Sequence, residues 1–367
     1  MPKKKQQAVT TTSPIEVVDV VDRIPTGWVS LDVALKGGIP CGMLTVIGGK
    51  ADVGKTNLCT HIVAQYLKNF QEKAVYIDTE GRIVGNPERF YLRGISESEF
   101  KERVLLFAGL HTVEGVGGLL RGIINTESPP PRLIILDSLP SLTTRHAFEA
   151  KLKEDGKVGL GDLARALQEE FKDLTYYIVQ HKIAFVVVTQ RRVTISPIPR
   201  DRLYLTSFLE HNAAVIIFLW DKEMKEDDVG EGESAFKTPP QSIPLSITPF
   251  KKIFFRMMKN HVGYPTAEGA GRYFLIDLPQ VGIRRGDFDV IYEIIAFGRM
   301  RGLGFLKREG DTYITPSGLR FTRRTIYTNQ ELHKQVLDEC VPLLKKTLHT
   351  FYDGSWLLVE NGEDEEV

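Results

Sequence analysis

Six short runs in this chain are apolar at almost every position: residues 43–47, 74–77, 104–107, 133–136, 184–188 and 213–219. A strand with one wet face alternates apolar and polar residues, so a run apolar throughout is covered on both faces. At spacings of roughly 25–50 residues, with helix-like stretches between, such runs predict parallel strands joined by crossover helices. Between the first two, Leu58, Ile62, Val63, Tyr66 and Leu67 recur at helical spacing. Between the fourth and fifth, Leu160, Leu163, Leu167, Phe171 and Leu174 do the same. The expected fold class is α/β, a mostly parallel doubly wound sheet.

The pattern changes along the chain. Residues 1–14 are polar and read as a disordered arm, and the β-branched stretch 15–21 is a candidate strand. Residues 223–249 break the rhythm with Asp, Gly and Pro and look like an insertion. Stretches 253–258 and 273–278 then read as antiparallel strands closing the sheet. Past residue 283 an amphipathic helix (287–300), a short hairpin (301–314) and a second helix (331–348) are expected. This makes a small C-terminal α+β domain of about 65 residues. The expected division is an arm and possible polymerisation strand at 1–22, a core at 23–282, a C-terminal domain at 283–352 and an acidic tail at 353–367.

The first apolar run leads into Gly49, Lys50, Ala51, Asp52, Val53, Gly54, Lys55 and Thr56, which fit G-x-x-x-x-G-K-[ST]. A buried strand precedes this loop, and the amphipathic helix that Asn57 continues follows it. Glycines let backbone N–H groups turn inward around a polyphosphate, and the helix N-terminus adds a favourable dipole. In that role Lys55 neutralises the β- and γ-phosphates and the Thr56 hydroxyl holds Mg²⁺. Asp137 ends the fourth run, where an acid can hold the water shell of the same ion. Glu80 follows the second run and so emerges at the carboxyl edge of the sheet. There it can orient or deprotonate an attacking water; a solvated loop acid fits the position equally. Gln190 ends the fifth strand on the same edge, where a neutral amide can sense a γ-phosphate.

Lys+Arg and Asp+Glu both total 47, a formal net charge of zero, which by itself argues against a nucleic-acid partner. The zero is not uniform. The last eight residues hold Glu360, Glu363, Asp364, Glu365 and Glu366; without them 47 basic residues face 42 acidic ones, a body of +5. No apolar run reaches the ~20 residues that span a bilayer. The polar N-terminus with Lys3–Lys5 lacks the apolar core of a signal peptide. Cys41, Cys59 and Cys340 are too few and scattered for a disulfide framework or zinc site. The expected compartment is a reducing cytoplasm, or a nucleus if the source is eukaryotic.

Together these elements resemble the RecA family of homologous-recombination ATPases. The resemblance begins at Ile24-Pro-Thr-Gly-Trp-Val-Ser-Leu-Asp32 and runs through the phosphate loop. Tyr76-Ile-Asp-Thr-Glu-Gly81 and Pro87-Glu-Arg-Phe90 are more similar to the archaeal and eukaryotic branch. The Lys259-Asn260-His261 segment and the region after Ile283 are more similar to the bacterial and phage branch. The resemblance implies a RecA-like P-loop NTPase core using ATP and Mg²⁺. Lys55 and Thr56 then bind phosphate and metal, Asp137 is the second metal residue, Glu80 is the catalytic carboxylate, and Gln190 couples the γ-phosphate to the next loop. Arg89 or the adjacent Phe90 covers the adenine. Lys259 and His261 lie at a subunit interface and reach a neighbour's ATP, with His261 replacing the lysine of the bacterial branch.

The family holds DNA in two loops, corresponding to about 151–161 and 191–205. The first carries Lys151, Lys153 and Lys157; the second carries Arg191, Arg192, Arg200 and Arg202 against Asp201. Such cations neutralise phosphates and give salt-dependent, sequence-tolerant binding. Ile195 and Ile198 either wedge between bases or pack under the loop. Arg165, on the helix after the first loop, matches a DNA-backbone position. Pro197 and Pro199 replace the usual glycine pair, which alters the second loop's expected conformation. Arg320, Arg323 and Arg324 cluster after the C-terminal hairpin, as a patch for duplex DNA or as a solvated basic face.

The implied function is an ATP-dependent recombinase that forms filaments on single-stranded DNA and exchanges strands with homologous duplex. Implied partners are single- and double-stranded DNA, other copies of the chain, and single-strand-binding or loader proteins. The alternatives are a ring-forming DNA motor and an ATP-binding recombination mediator with little turnover. A generic P-loop kinase is weaker, because no acceptor lid is seen.

Overall fold

A computed structural model describes residues 22–152, 162–193, 201–203, 207–221, 249–300 and 303–353. Each of the six apolar runs is a strand: β1 (Met43–Gly49), β2 (Ala74–Asp78), β3 (Val104–Ala108), β4 (Leu133–Asp137), β5 (Ala184–Val188) and β6 (Ala213–Trp220). Two more follow, β7 (Phe250–Asn260) and β8 (Glu268–Phe274). They form one eight-stranded sheet in the order β8-β7-β6-β1-β5-β4-β2-β3. The first six are mutually parallel, and β7 and β8 pair antiparallel at one edge. The fold class is the expected one, a mostly parallel doubly wound α/β sheet with a small C-terminal α+β unit.

The two faces of the sheet carry separate cores. On one, the helix α2 (Lys55–Asn69) buries Leu58, Ile62, Val63, Tyr66 and Leu67 against Ile47, Tyr76, Ile135 and Val186. On the other, α3 (Val113–Thr126) and α4 (Asp162–Gln180) cover Val46, Ile77, Leu136 and Val187. Consecutive residues of each central strand therefore enter different cores, which is why the strands are apolar throughout. A third core joins a short lead-in helix, α1 (Val29–Ala34), to α5 (Val290–Phe297) and α6 (Gln330–Asp353) in the C-terminal unit. Three strands, β9 (Lys307–Glu309), β10 (Thr312–Ile314) and β11 (Arg320–Phe321), pack there as a small antiparallel sheet.

Several sequence boundaries are corrected. The strand expected at 273–278 runs instead over Glu268–Phe274, because residues 268–274 pair in register with Phe250–Arg256 of β7. The chain then turns, and Leu275 is 41% exposed. The helix expected from 287 starts at Val290. Residues 287–289 run alongside β8 instead: Phe274 N–H donates to Asp287 O (2.9 Å) and Asp289 N–H to Arg272 O (2.8 Å). The Asp289 carboxylate then caps α5 by accepting from Tyr292 N–H at 3.2 Å. The hairpin expected over 301–314 is confined to β9 and β10 around Gly310 (φ 59°) and gains the third strand β11.

Candidate nucleotide-binding site

β1 delivers the phosphate loop to the carboxyl edge of the sheet. Gly49 lies so close to β6 that a Cβ there would stand 2.2 Å from Leu219 O, so only glycine fits. Gly54 precedes α2 at φ 101°, a left-handed conformation that glycine adopts without strain, and Tyr273 packs against it. The Val53 side chain is fully buried and anchors the loop in the core. Lys50 points away, 3.9 Å from Asp221.

Lys55 is 8% exposed, and its Nζ donates to the carbonyls of Lys50 (2.6 Å) and Gly49 (3.2 Å). Burial lowers the lysine's pKa, opposed by the nearby carboxylates of Asp137, Glu80 and Asp52. Thr56 Oγ1 donates to Asp137 Oδ2 at 2.8 Å, and Tyr76 OH donates to the same oxygen at 2.7 Å. Burial raises the Asp137 pKa, and these two hydrogen bonds pull it back. A hydroxyl and a carboxylate side by side are the hard oxygen donors that Mg²⁺ prefers. Among the described residues no group of three or more His, Cys, Asp or Glu could hold a metal.

Glu80 is aimed by the turn it sits in. The N–H groups of Arg82 (3.2 Å), Ile83 (2.7 Å) and Val84 (2.9 Å) donate to the Asp78 carboxylate, which shapes the turn. Asp78 pairs across the sheet with Asp137. Beyond that pair, Thr79 Oγ1 donates to Ser138 O and accepts from Ser138 N–H, both at 2.8 Å. Ser138 Oγ then donates to Glu80 Oε1 at 2.6 Å, and Gln190 Nε2 lies 3.4 Å from the same oxygen. Lys55, Thr56, Glu80, Asp137 and Gln190 thus meet at one edge although they are far apart in sequence.

These groups line a cleft of ≈ 420 Å³ that also includes Ala51, Asp52, Gly54 and Asn57 of the loop and its helix. That volume is in the range of small-molecule sites. Arg89 lines it, whereas Phe90 is fully buried and packs edge-on against Tyr76, so its ring is not placed to cover an adenine. Asp78, Tyr76, Arg82 and Ser138 carry no role in the sequence reading, although Asp78, Arg82 and Ser138 sit within two residues of Glu80 or Asp137. That reading also missed the far wall of Tyr273, Phe274, Arg285 and Gly286. This wall is fixed by tertiary contacts: Asn57 Nδ2 and His61 Nε2 both donate to Gly286 O, at 2.9 and 3.0 Å. His61 is buried, which drives its pKa down to about 3 and leaves it a neutral donor.

Lys259 and His261 are not brought to this cleft. Lys259 pairs with Ile216 on β6, and its Nζ donates to the carbonyls of Glu210 (2.9 Å) and His211 (3.0 Å) near the amino-terminal edge of the parallel strands. His261 N–H donates to Ala214 O at 3.0 Å on the same side. Of the expected DNA contacts, Arg165 is exposed on α4. Residues 191–193 and 201–203 form a two-stranded antiparallel hairpin that sets Arg192 opposite Arg202. Lys153, Lys157, Ile195, Ile198 and Arg200 lie outside the described residues, as do 1–21 of the arm, 222–248 of the insertion region and 354–367 of the acidic tail. In the C-terminal unit Arg320 pairs with Glu309 at 2.6 Å, and Arg323 Nε donates to Tyr313 OH at 3.2 Å.

No helix among the described residues is long and apolar enough to cross a membrane. A family model described as the RecA N-terminal domain matches residues 6–199, more than half of the chain. The chain is 29% identical over 185 residues to "Protein RecA" of Solidesulfovibrio magneticus, covering 48% of this chain and 46% of that protein. It is 29% identical over 193 residues to "Protein RecA" of Aquifex pyrophilus, covering 50% and 49%. To the "Mitochondrial DNA repair protein recA homolog" of Dictyostelium discoideum it is 30% identical over 181 residues, covering 48% and 36%. The chain thus spans about half the length, or less, of these curated relatives. With a phosphate loop, paired Thr56 and Asp137, and a match over more than half its residues, this chain belongs to the RecA family.

Proposed function

We propose that this protein is a DNA-dependent ATPase that forms filaments on single-stranded DNA and exchanges strands with homologous duplex. The observation that carries the reading is the convergence of Lys55, Thr56, Asp137, Glu80 and Gln190 at one edge of the sheet. Lys55 and the loop N–H groups hold the polyphosphate. When bound beside Thr56 and Asp137, Mg²⁺ supplies charge neutralisation at the β- and γ-phosphates. Glu80 takes a proton from water as the water oxygen bonds to the terminal phosphorus. The bond from that phosphorus to the bridging oxygen breaks, leaving ADP and inorganic phosphate.

Lys259 and His261 stand away from the cleft of their own chain, so their action on ATP is proposed across the contact with another copy. The cations of both loops hold the DNA backbone, and sequence specificity comes from base pairing between DNA strands. The family's bacterial members lend support to this reading, as does the small C-terminal unit, which a bare ring motor lacks.

The test mixes the protein with single-stranded DNA, ATP and homologous supercoiled duplex. Joint molecules that require homology are expected. Unwinding of forked DNA without homology would favour the ring-forming motor. Homology-dependent pairing that persists without nucleotide turnover would favour the mediator.

A further inference from the structure

Arg82 occupies a place in the cleft that the motif assigns to no residue. Its Nε stands 2.8 Å from Glu80 Oε2 in an ion pair, on the oxygen that Ser138 leaves open. Its Nη1 stands 3.8 Å from Asp52 Oδ1 of the phosphate loop. One guanidinium therefore spans the gap between the candidate base and the loop that cradles the phosphates. Its backbone is fixed as well, because Arg82 N–H donates to Asp78, the carboxylate that shapes the turn.

Stability does not account for this arrangement. The Arg82 side chain is 55% exposed, Glu80 19% and Asp52 85%, and ion pairs with so wet a cation contribute about 1 kcal/mol or less. Geometry accounts for it better. A guanidinium presents five N–H donors in a rigid fork. Nε pairs with Glu80 and Nη1 stands near Asp52, and the same guanidinium lines the cleft together with Lys55 and Arg89. Charge develops on the terminal phosphoryl oxygens during transfer, between the base and the loop. That is the space Arg82 borders.

We propose that Arg82 is a catalytic residue acting within its own chain: its Nε pairs with Glu80 and holds it in line, while its Nη groups meet the charge that develops on the terminal phosphoryl oxygens of a bound nucleoside triphosphate during transfer. The assignment rests on the ATP-hydrolysing reading above. The two halves together do not transfer to lysine, whose single ammonium cannot meet a carboxylate through one arm and a phosphate through another.

The test compares wild type, Arg82→Ala, Arg82→Lys and Lys55→Ala for ATP hydrolysis on single-stranded DNA, binding of a fluorescent ATP analogue, and thermal unfolding. Arg82→Ala is expected to lose about 10²-fold in kcat. Its nucleotide Kd and unfolding midpoint stay near wild type, and added guanidinium ion restores part of the rate. Arg82→Lys recovers only part of the loss. An unchanged kcat in Arg82→Ala, or a Kd weakened by the same factor as kcat, overturns the assignment. If wild type hydrolyses and Arg82→Ala keeps pace, Arg82 alone is misassigned. If neither wild type nor Lys55→Ala releases phosphate, the ATPase reading fails and takes this assignment with it.

Discussion

Thr56 Oγ1 donates to Asp137 Oδ2 at 2.8 Å, joining the last residue of the phosphate loop to the end of β4, 81 positions away. The contact places two hard oxygen donors next to Lys55 in a buried pocket. Asp137 is 7% exposed, and burial raises its pKa despite the hydrogen bonds from Tyr76 and Thr56. The ionised carboxylate is thus held at a cost to stability, while the proposed metal-binding role needs its charge.

Asp137→Asn should separate the two. The amide oxygen still accepts from Tyr76 and Thr56, while the buried negative charge is gone. The unfolding midpoint at pH 8 should equal or exceed that of wild type, with hydrolysis reduced by about 10²-fold or more. Differential scanning calorimetry and phosphate release check this. A variant that is less stable and still active contradicts it.

The C-terminal unit is tied to the sheet by Arg272 on β8. Its Nε donates to Asp289 Oδ2 at 2.6 Å, its carbon lies 3.6 Å from the Phe250 ring centroid, and Tyr327 OH donates to Asp289 Oδ1 at 2.7 Å. Both ion-pair partners are under 10% exposed. Arg272→Met leaves Asp289 buried without its cation and should cost about 3–5 kcal/mol in urea unfolding. A loss below about 1 kcal/mol would show that the pair carries little of the docking energy.

A second buried acid makes stability depend on pH. Glu293 of α5 accepts Ser30 N–H at 2.9 Å at the start of α1, and burial raises its pKa from 4.5 to about 7. Asp32, held by Thr26 N–H (2.6 Å) and Oγ1 (2.7 Å), is likewise raised by burial to about 7. A raised carboxyl binds its proton more tightly folded than unfolded. Its contribution is fully present below about pH 4 and is lost as pH rises to about 7. For Glu293 the loss is on the order of 3 kcal/mol. Glu293→Gln should be similar in stability to wild type at pH 5 and more stable at pH 8. Identical pH dependence in urea unfolding of the two proteins contradicts the assignment.

The sheet was readable because its strands are buried on both faces, a pattern that needs no knowledge of partners. Lys55, Thr56, Glu80 and Asp137 were readable because strand, loop and helix order places them at one edge. Residues 275–278 were misread because Leu275, Ile276 and Leu278 are as apolar as a strand. Only pairing with β7 decides where the strand stops. The cleft wall of Tyr273 and Arg285 was illegible for a related reason: it reaches the phosphate loop through contacts more than 200 positions apart in sequence, such as Asn57 to Gly286. Phe90 carried no mark to distinguish a core ring from a stacking one.

The uneven charge makes its own prediction. We propose that the acids of residues 360–367 compete with DNA for the cations of the body. Deleting these residues should raise duplex DNA affinity at low salt and have little effect at high salt, where both interactions are screened. Equal affinity of the two proteins at low salt contradicts it.

The most direct measurement is phosphate release from ATP with and without single-stranded DNA, for wild type and Glu80→Gln. Wild type should hydrolyse faster with DNA. Glu80→Gln should bind nucleotide as wild type does and lose about 10²–10⁴-fold in kcat. Hydrolysis indifferent to DNA, or a Glu80→Gln enzyme at full rate, would contradict the account.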